Sequence, residues 1–169
     1  IWWAASNKME IRNTEDCFKF RLLRKIKPDK DKSKKSLEIA ESRILRAKEA
    51  LKINIFDFVI LEAYMSMFHA SRALLYNDGI QEKSHYAISV YLKEKYSDKI
   101  PIPVLNFLEI HRTERHEAMY GLEYKPEKKD AELALKDAEI FIKEIKKILW
   151  FQHKNLNLRL KISWGHNQN

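Results

Sequence analysis

Apolar residues fall along this chain at helical spacing, in runs parted by short polar or Pro/Gly breaks, and one run differs from the rest. From Phe58 to Tyr76 nearly every position is apolar or small, and only Glu62, His69 and Arg72 are strongly polar. The run is too long for a strand and holds no Gly or Pro. It predicts a helix buried on most sides, spanning about 57–77 at the centre of a bundle. Asn77-Asp78-Gly79 ends it, because Gly79 can take the left-handed conformation that closes a helix.

The flanking segments predict its neighbours. Ile11, Phe18, Leu22 and Ile26 share one side of a short helix over 11–26, with Asn13 or Thr14 as cap. Pro28 and the charged run to Lys35 break it. Ser36 is expected to cap a second helix over 36–53, whose stripe is Leu37, Ala40, Ile44, Ala47 and Leu51. A tight connection at 54–56 would lay it antiparallel on the central helix. Ser84 is expected to cap a helix over 84–96, and Pro101 and Pro103 mark the loop before another from Val104 to about Gly121. Pro126 opens the last helix at its first turn. There Ala131, Leu135, Ala138, Ile142, Ile145 and Leu149 alternate steps of 4 and 3, a heptad seam suited to a bundle or to a dimer. The expected fold is all-α, an up-and-down antiparallel bundle of five to six helices. Residues 11–153 form one domain, 1–10 a loosely attached extension and 154–169 a tail.

Composition supports this and narrows the setting. The 169 residues include 3 Gly, 4 Pro and 33% charged side chains, which favours helix over turns. The single Cys17 excludes an internal disulfide and a cysteine-based zinc site, and fits a reducing, cytoplasmic setting. No apolar run reaches the roughly 18–20 residues that span a bilayer, since Asp57 and Glu62 interrupt the best one. Ile1 to Ala5 has no basic region before its short apolar run, so it makes a poor signal peptide. The net charge of +8 is concentrated: residues 19–35 hold nine Lys or Arg against two Asp. Lys25, Lys27, Lys30, Lys32, Lys34 and Lys35 could attract a phosphate backbone; without aromatic residues interleaved through 28–35 the run reads first as a solvated connector.

Candidate chemistry is sparse. No Gly-rich phosphate loop, Gly-x-Ser-x-Gly or His-Glu-x-x-His occurs, carboxylates are scattered singly, and nothing calls for a metal or a cofactor. His69 inside the central helix reads first as a satisfied core histidine, and His85 as a helix-start residue that could cap or bind a partner. His111, Arg112, Arg115 and His116 are the densest cluster, with His111/Arg115 and Arg112/His116 each four apart on one helix face. Such groups can hold a phosphate and move a proton; they can also form a polar face bridged to Glu109, Glu114 and Glu117.

Taken together, certain residues resemble a known family. They are Asp57, Ala63-Tyr64-Met65-Ser66-Met67-Phe68-His69-Ala70-Ser71-Arg72-Ala73-Leu74-Leu75, Gly79, Lys83-Ser84-His85 and Arg115-x-x-Ala118-x-Tyr120-Gly121. The pattern is similar to the HEPN-domain family, in particular an archaeal and bacterial branch with YYxMFHAxRALL, KSH and ADYG elements. Leu22-Leu23-Arg24-Lys25-Ile26-x-Pro28-Asp29 also looks like the leading segment of longer archaeal members, and the resemblance covers about 16–150. It implies a helical bundle that dimerises and pairs with a minimal nucleotidyltransferase in toxin–antitoxin modules. It further implies nucleotide, RNA or partner binding, for which His69, Arg72, Lys83, His85 and Tyr120 are the candidates. Some branches are metal-independent ribonucleases whose Arg and His meet at the dimer interface; Arg112, Arg115 and His116 would be the catalytic set here. In those branches about four to six residues separate Arg from His. Here three separate Arg112 from His116, Thr113 follows Arg112, and Met119 stands where the Asp of ADYG would be. That spacing favours binding over cleavage.

Overall fold

The architecture follows from which helices can come closest. The computed structural model describes residues 11–165. Two 23-residue helices, α2 (Lys30–Lys52) and α3 (Phe56–Asp78), turn small residues toward each other. Ser33, Ser36, Ala40 and Ala47 meet Ala63, Ser66, Ala70 and Ala73, all of them buried. The serines satisfy themselves on carbonyls across the contact. Ser33 Oγ donates to Ala73 at 2.7 Å, Ser36 Oγ to His69 at 2.9 Å and Ser66 Oγ to Ala40 at 2.8 Å. These pairings run antiparallel, and Asn54, at φ 59°, makes the reversal between the helices.

The start of α2 differs from expectation. Asp29 is the cap and accepts from the Lys32 N–H at 2.9 Å, so the lysine-rich run 30–35 is helix and not a connector. Ser36 lies inside the helix, two turns on. The expected helix 11–26 is likewise shorter: α1 (Thr14–Lys19), capped by Asn13, gives way to β1 (Leu23–Lys25). This strand pairs antiparallel with β2 (Ile80–Glu82), Arg24 opposite Gln81. The ribbon was not expected from the sequence. Gly79 permits it. At φ 74° it ends α3, and its carbonyl accepts from the Ile26 N–H at 2.8 Å.

The remaining helices are α4 (His85–Tyr96), α5 (Ile102–Tyr120) and α6 (Lys128–Gly165). The α6 seam is spent inside the chain: Ala131, Ala138 and Ile145 are fully buried and Leu135, Ile142 and Leu149 nearly so, with α6 packed on α3. The end of α3 is tied down by Asp78, which accepts from Tyr96 at 2.7 Å and Tyr91 at 2.9 Å and pairs with Lys95. Among the described residues the result is an all-α bundle of six helices, α3 at its centre, with one small two-stranded ribbon. Among the described residues no helix is long and apolar enough to cross a membrane. The extension 1–10 and positions 166–169 lie outside the described residues.

Candidate functional site

Because α2, α6 and α5 cover α3 on three sides, the fourth side, between α2 and α5, stays open. Phe58, Leu61, Met65, His69 and Arg72 recur there at steps of 3 and 4 and are each only partly buried. This face collects charge from three elements. On the α2 side, Arg43 and Arg46 both reach the buried Glu62, at 2.8 and 3.6 Å. On the other side stand Arg112 and Arg115 of α5 and His85 at the start of α4.

Tyr64 links that second side together. Its hydroxyl lies 2.5 Å from His85 Nδ1, and Arg115 sits over its ring, 5.4 Å from the centroid. Burial pushes the Tyr64 ionisation up to about 12, outweighing Arg115 and Arg112, so the phenol keeps its proton and can donate it to Nδ1. Burial first, then Arg115, Arg112 and Arg72, hold the His85 pKa below its usual value, so the ring is neutral near pH 7. His85 also stacks on Phe68, centroids 4.2 Å apart, and Arg72 lies 5.5 Å from the same phenyl ring. Arg72 Nε pairs with Glu82 at 2.9 Å, and its Nη2 donates to the Tyr76 hydroxyl.

The arginines differ in what they have left to offer. Arg112 is held by Glu109 at 2.6 Å and Arg72 by Glu82. Arg115 has no carboxylate partner among the described residues, and its buried Nε makes no hydrogen bond. His69 is pushed down to about 4 by burial and by Arg72 and Arg43, and its Nδ1 is buried without a partner. It is therefore a neutral ring whose main-chain carbonyl, not its imidazole, ties α3 to α2.

The cluster read from 111–116 divides. His111 is 1% exposed and reaches α6 instead, its Nδ1 2.5 Å from Glu114 and its Nε2 2.9 Å from Asp137 of α6. His116 is exposed, 3.7 Å from Glu117, with its ring 5.2 Å from the exposed Tyr120. Lys83 is exposed, and its N–H closes the ribbon onto Leu22 at 2.8 Å. Lys25, Lys27, Lys30, Lys32, Lys34 and Lys35 are all exposed around the ribbon and the start of α2. Tyr64, Phe68 and Glu109 were missed as site residues. A tyrosine hydroxyl on the inner side of an apolar helix needs a partner, and that was the available signal.

The chain is similar to archaeal proteins. A protein of Archaeoglobus fulgidus named "UPF0332 protein" is 31% identical over 110 residues, 63% of this chain and 86% of its own length. Two proteins of Methanocaldococcus jannaschii, each named "Putative toxin", are 26% and 24% identical, over 67% and 68% of this chain and 85% and 80% of theirs. The family model described as the HEPN domain matches residues 33–148, a span that takes in most of α2, all but the last residue of the α6 seam and the whole open face of α3; the chain belongs to the HEPN-domain family.

Proposed function

We propose that this protein is a binding member of a toxin–antitoxin-type HEPN/nucleotidyltransferase system. In this reading it is a cytoplasmic homodimer that holds a phosphate-bearing ligand, a nucleotide or RNA, on the open face of α3. The observation that carries the reading is Arg115, a guanidinium placed over Tyr64 and beside His85 with no carboxylate partner among the described residues. Its surroundings point the same way. Arg43, Arg46, Arg72, Arg112 and Arg115 outnumber the three carboxylates that reach them, Glu62, Glu82 and Glu109. A phosphate is the partner that planar guanidinium groups take best. Two relatives carry toxin in their names, which supports the system assigned.

The test is a fluorescence-anisotropy titration with labelled single-stranded RNA and with labelled ATP. Wild type should bind at least one of them, and Arg115→Ala should weaken it about tenfold or more, the worth of one charge-assisted contact, at unchanged thermal stability. Equal binding by the variant would place the ligand elsewhere.

One observation favours a second reading, metal-independent RNA cleavage. Arg115 and His85 flank Tyr64, and in the tautomer that donates Nδ1–H to the phenol oxygen the ring's Nε2 is left to accept a proton. Arg would hold the scissile phosphate and a histidine would take the 2′-hydroxyl proton. Cleavage assays with EDTA present, comparing His85→Ala with His116→Ala, decide both whether this happens and which imidazole serves.

A further inference from the structure

On the other flank of α2 lies a feature that the open face does not use. Arg43 and Arg46 leave α2 toward the open face, whereas Glu41, Leu45 and Lys48 leave it toward α6. Between α2 and α6 runs a groove of about 890 Å³. Its floor and walls are Ile44, Leu45, Ile142, Trp150 and Phe151, and Leu45, Trp150 and Phe151 are 63%, 56% and 55% exposed. Apolar surface of this kind on a folded domain marks a contact that is made with something else.

The charges on its rim say what. The two carboxylates that line it are already neutralised, Glu41 by Lys146 and Glu139 by Lys48. The cations are in excess. Lys143 has no carboxylate partner among the described residues, Lys147 is paired only to Glu144 of its own helix, and Lys154 sits 5.0 Å over the Trp150 ring. The two cross-helix pairs fix an antiparallel register, and continuing it sets Lys34, paired to Glu38 of its own helix, and the exposed Lys35 beside the helical turn that follows Trp150-Phe151. The positive end of the α2 dipole lies at the same end. The groove is therefore balanced near Glu139 and Lys48 and strongly basic near Trp150.

We infer that the α2/α6 groove is the docking site for an amphipathic helix of a partner protein, one that is acidic at the end that meets Trp150. From Ile142 to Phe151 the apolar floor runs nine residues, roughly 14 Å at 1.5 Å per residue, which suits apolar anchors on two to three turns of a helix. A nucleic acid fits less well. The walls are mainly aliphatic, Trp150 and Phe151 cover each other edge to face at 5.0 Å, and Lys154 occupies the indole face that a base would need. A second copy fits less well too, since its matching groove would bring the same excess of lysines and no further carboxylates.

The inference does not depend on ligand binding at Arg115, and its test keeps the two apart. The probes are two fluorescein-labelled synthetic helices with one apolar face, flanked at one end by Glu in the first and by Lys in the second. Binding to the full chain is followed by anisotropy. The Glu-flanked helix should bind at least tenfold tighter than the Lys-flanked one. Leu45→Asp, at an exposed position, should weaken it at least tenfold at unchanged thermal stability, and Arg115→Ala should leave it unchanged. Four results would overturn the inference: equal affinity for both helices, no binding of either up to about 100 μM, displacement of the helix by oligouridylate, or a sedimentation shift from dimer to monomer on Leu45→Asp, which would make the groove a self-contact.

Discussion

His111 is gripped from both sides, by Glu114 within α5 and by Asp137 across from α6, and the sign of its effect on stability can be worked out. Burial alone would push the imidazole pKa down. The hydrogen bonds to Glu114 and Asp137, helped by their charges, outweigh it, so the folded value lies above the ordinary 6.5. A group raised in the folded state stabilises fully below the unfolded pKa, and that contribution is lost as pH rises through the folded value. The free energy of unfolding should therefore decline as pH is raised above about 6.5. His69, pushed down to about 4, acts in the opposite sense and only between about 4 and 6.5, so it does not mask that window. Urea titrations across about pH 6.5 to 8, below the range where the buried Cys17 thiol adds a loss of its own, should show the decline in wild type and its absence in His111→Gln, which cannot titrate. His111→Ala should cost about 3 kcal/mol at pH 6, because it leaves Asp137 buried beside a cavity. A decline that persists in His111→Gln would remove His111 as its cause. This residue also shows a limit of spacing: His111 lies four residues from Arg115, yet one is core and the other faces α3.

At the scale of elements, the boundaries that could be read were those with a strong local signature. The apolar run of α3 and its Gly79 stop were visible, as was the α6 seam, whose burial within the chain resolves its two possible uses. The ribbon was not visible, because a three-residue strand with one buried position, Leu23, has no alternation to read. The true start of α2 was hidden for another reason. Ser33 and Ser36 count as polar, yet they continue the Ala40–Ile44–Ala47 stripe and are buried by donating to carbonyls of α3. Gly79 joins the helix end to the ribbon, and that makes it the position to test. A Cβ there would sit 2.7 Å from the Ile26 carbonyl oxygen and 3.0 Å from Pro28 Cδ, at φ +74°. Gly79→Ala should therefore cost about 2 kcal/mol or more, a fall in Tm of roughly 4–8 °C for a chain of this length, measured by thermal unfolding. A change under 1 °C would mean that the ribbon yields and does not constrain α3.

For the whole molecule, the sequence named Arg72, His85, Arg112 and Arg115 from three separate segments, but only the fold brings them to one side of α3. Phe58, Leu61 and Met65 share that side and are half-buried, an apolar stripe framed by guanidinium groups. A two-fold contact across it would bury the stripe and bring two copies of Arg115 and His85 toward one another, giving a ligand twice the cationic surface. A standard-size stable interface buries about 800 Å² from each partner. If the proposed homodimer forms here, Met65→Asp should shift the sedimentation coefficient from dimer to monomer at micromolar concentration. It should leave the unfolding of the monomer cooperative, and it should weaken the RNA or nucleotide affinity as much as Arg115→Ala does. The same change should not touch binding of the acidic helix at the α2/α6 groove, which lies on the opposite flank of α2. A Met65→Asp protein that still sediments as a dimer would move the self-contact off this face, and Arg115 would then have to hold its ligand from a single chain.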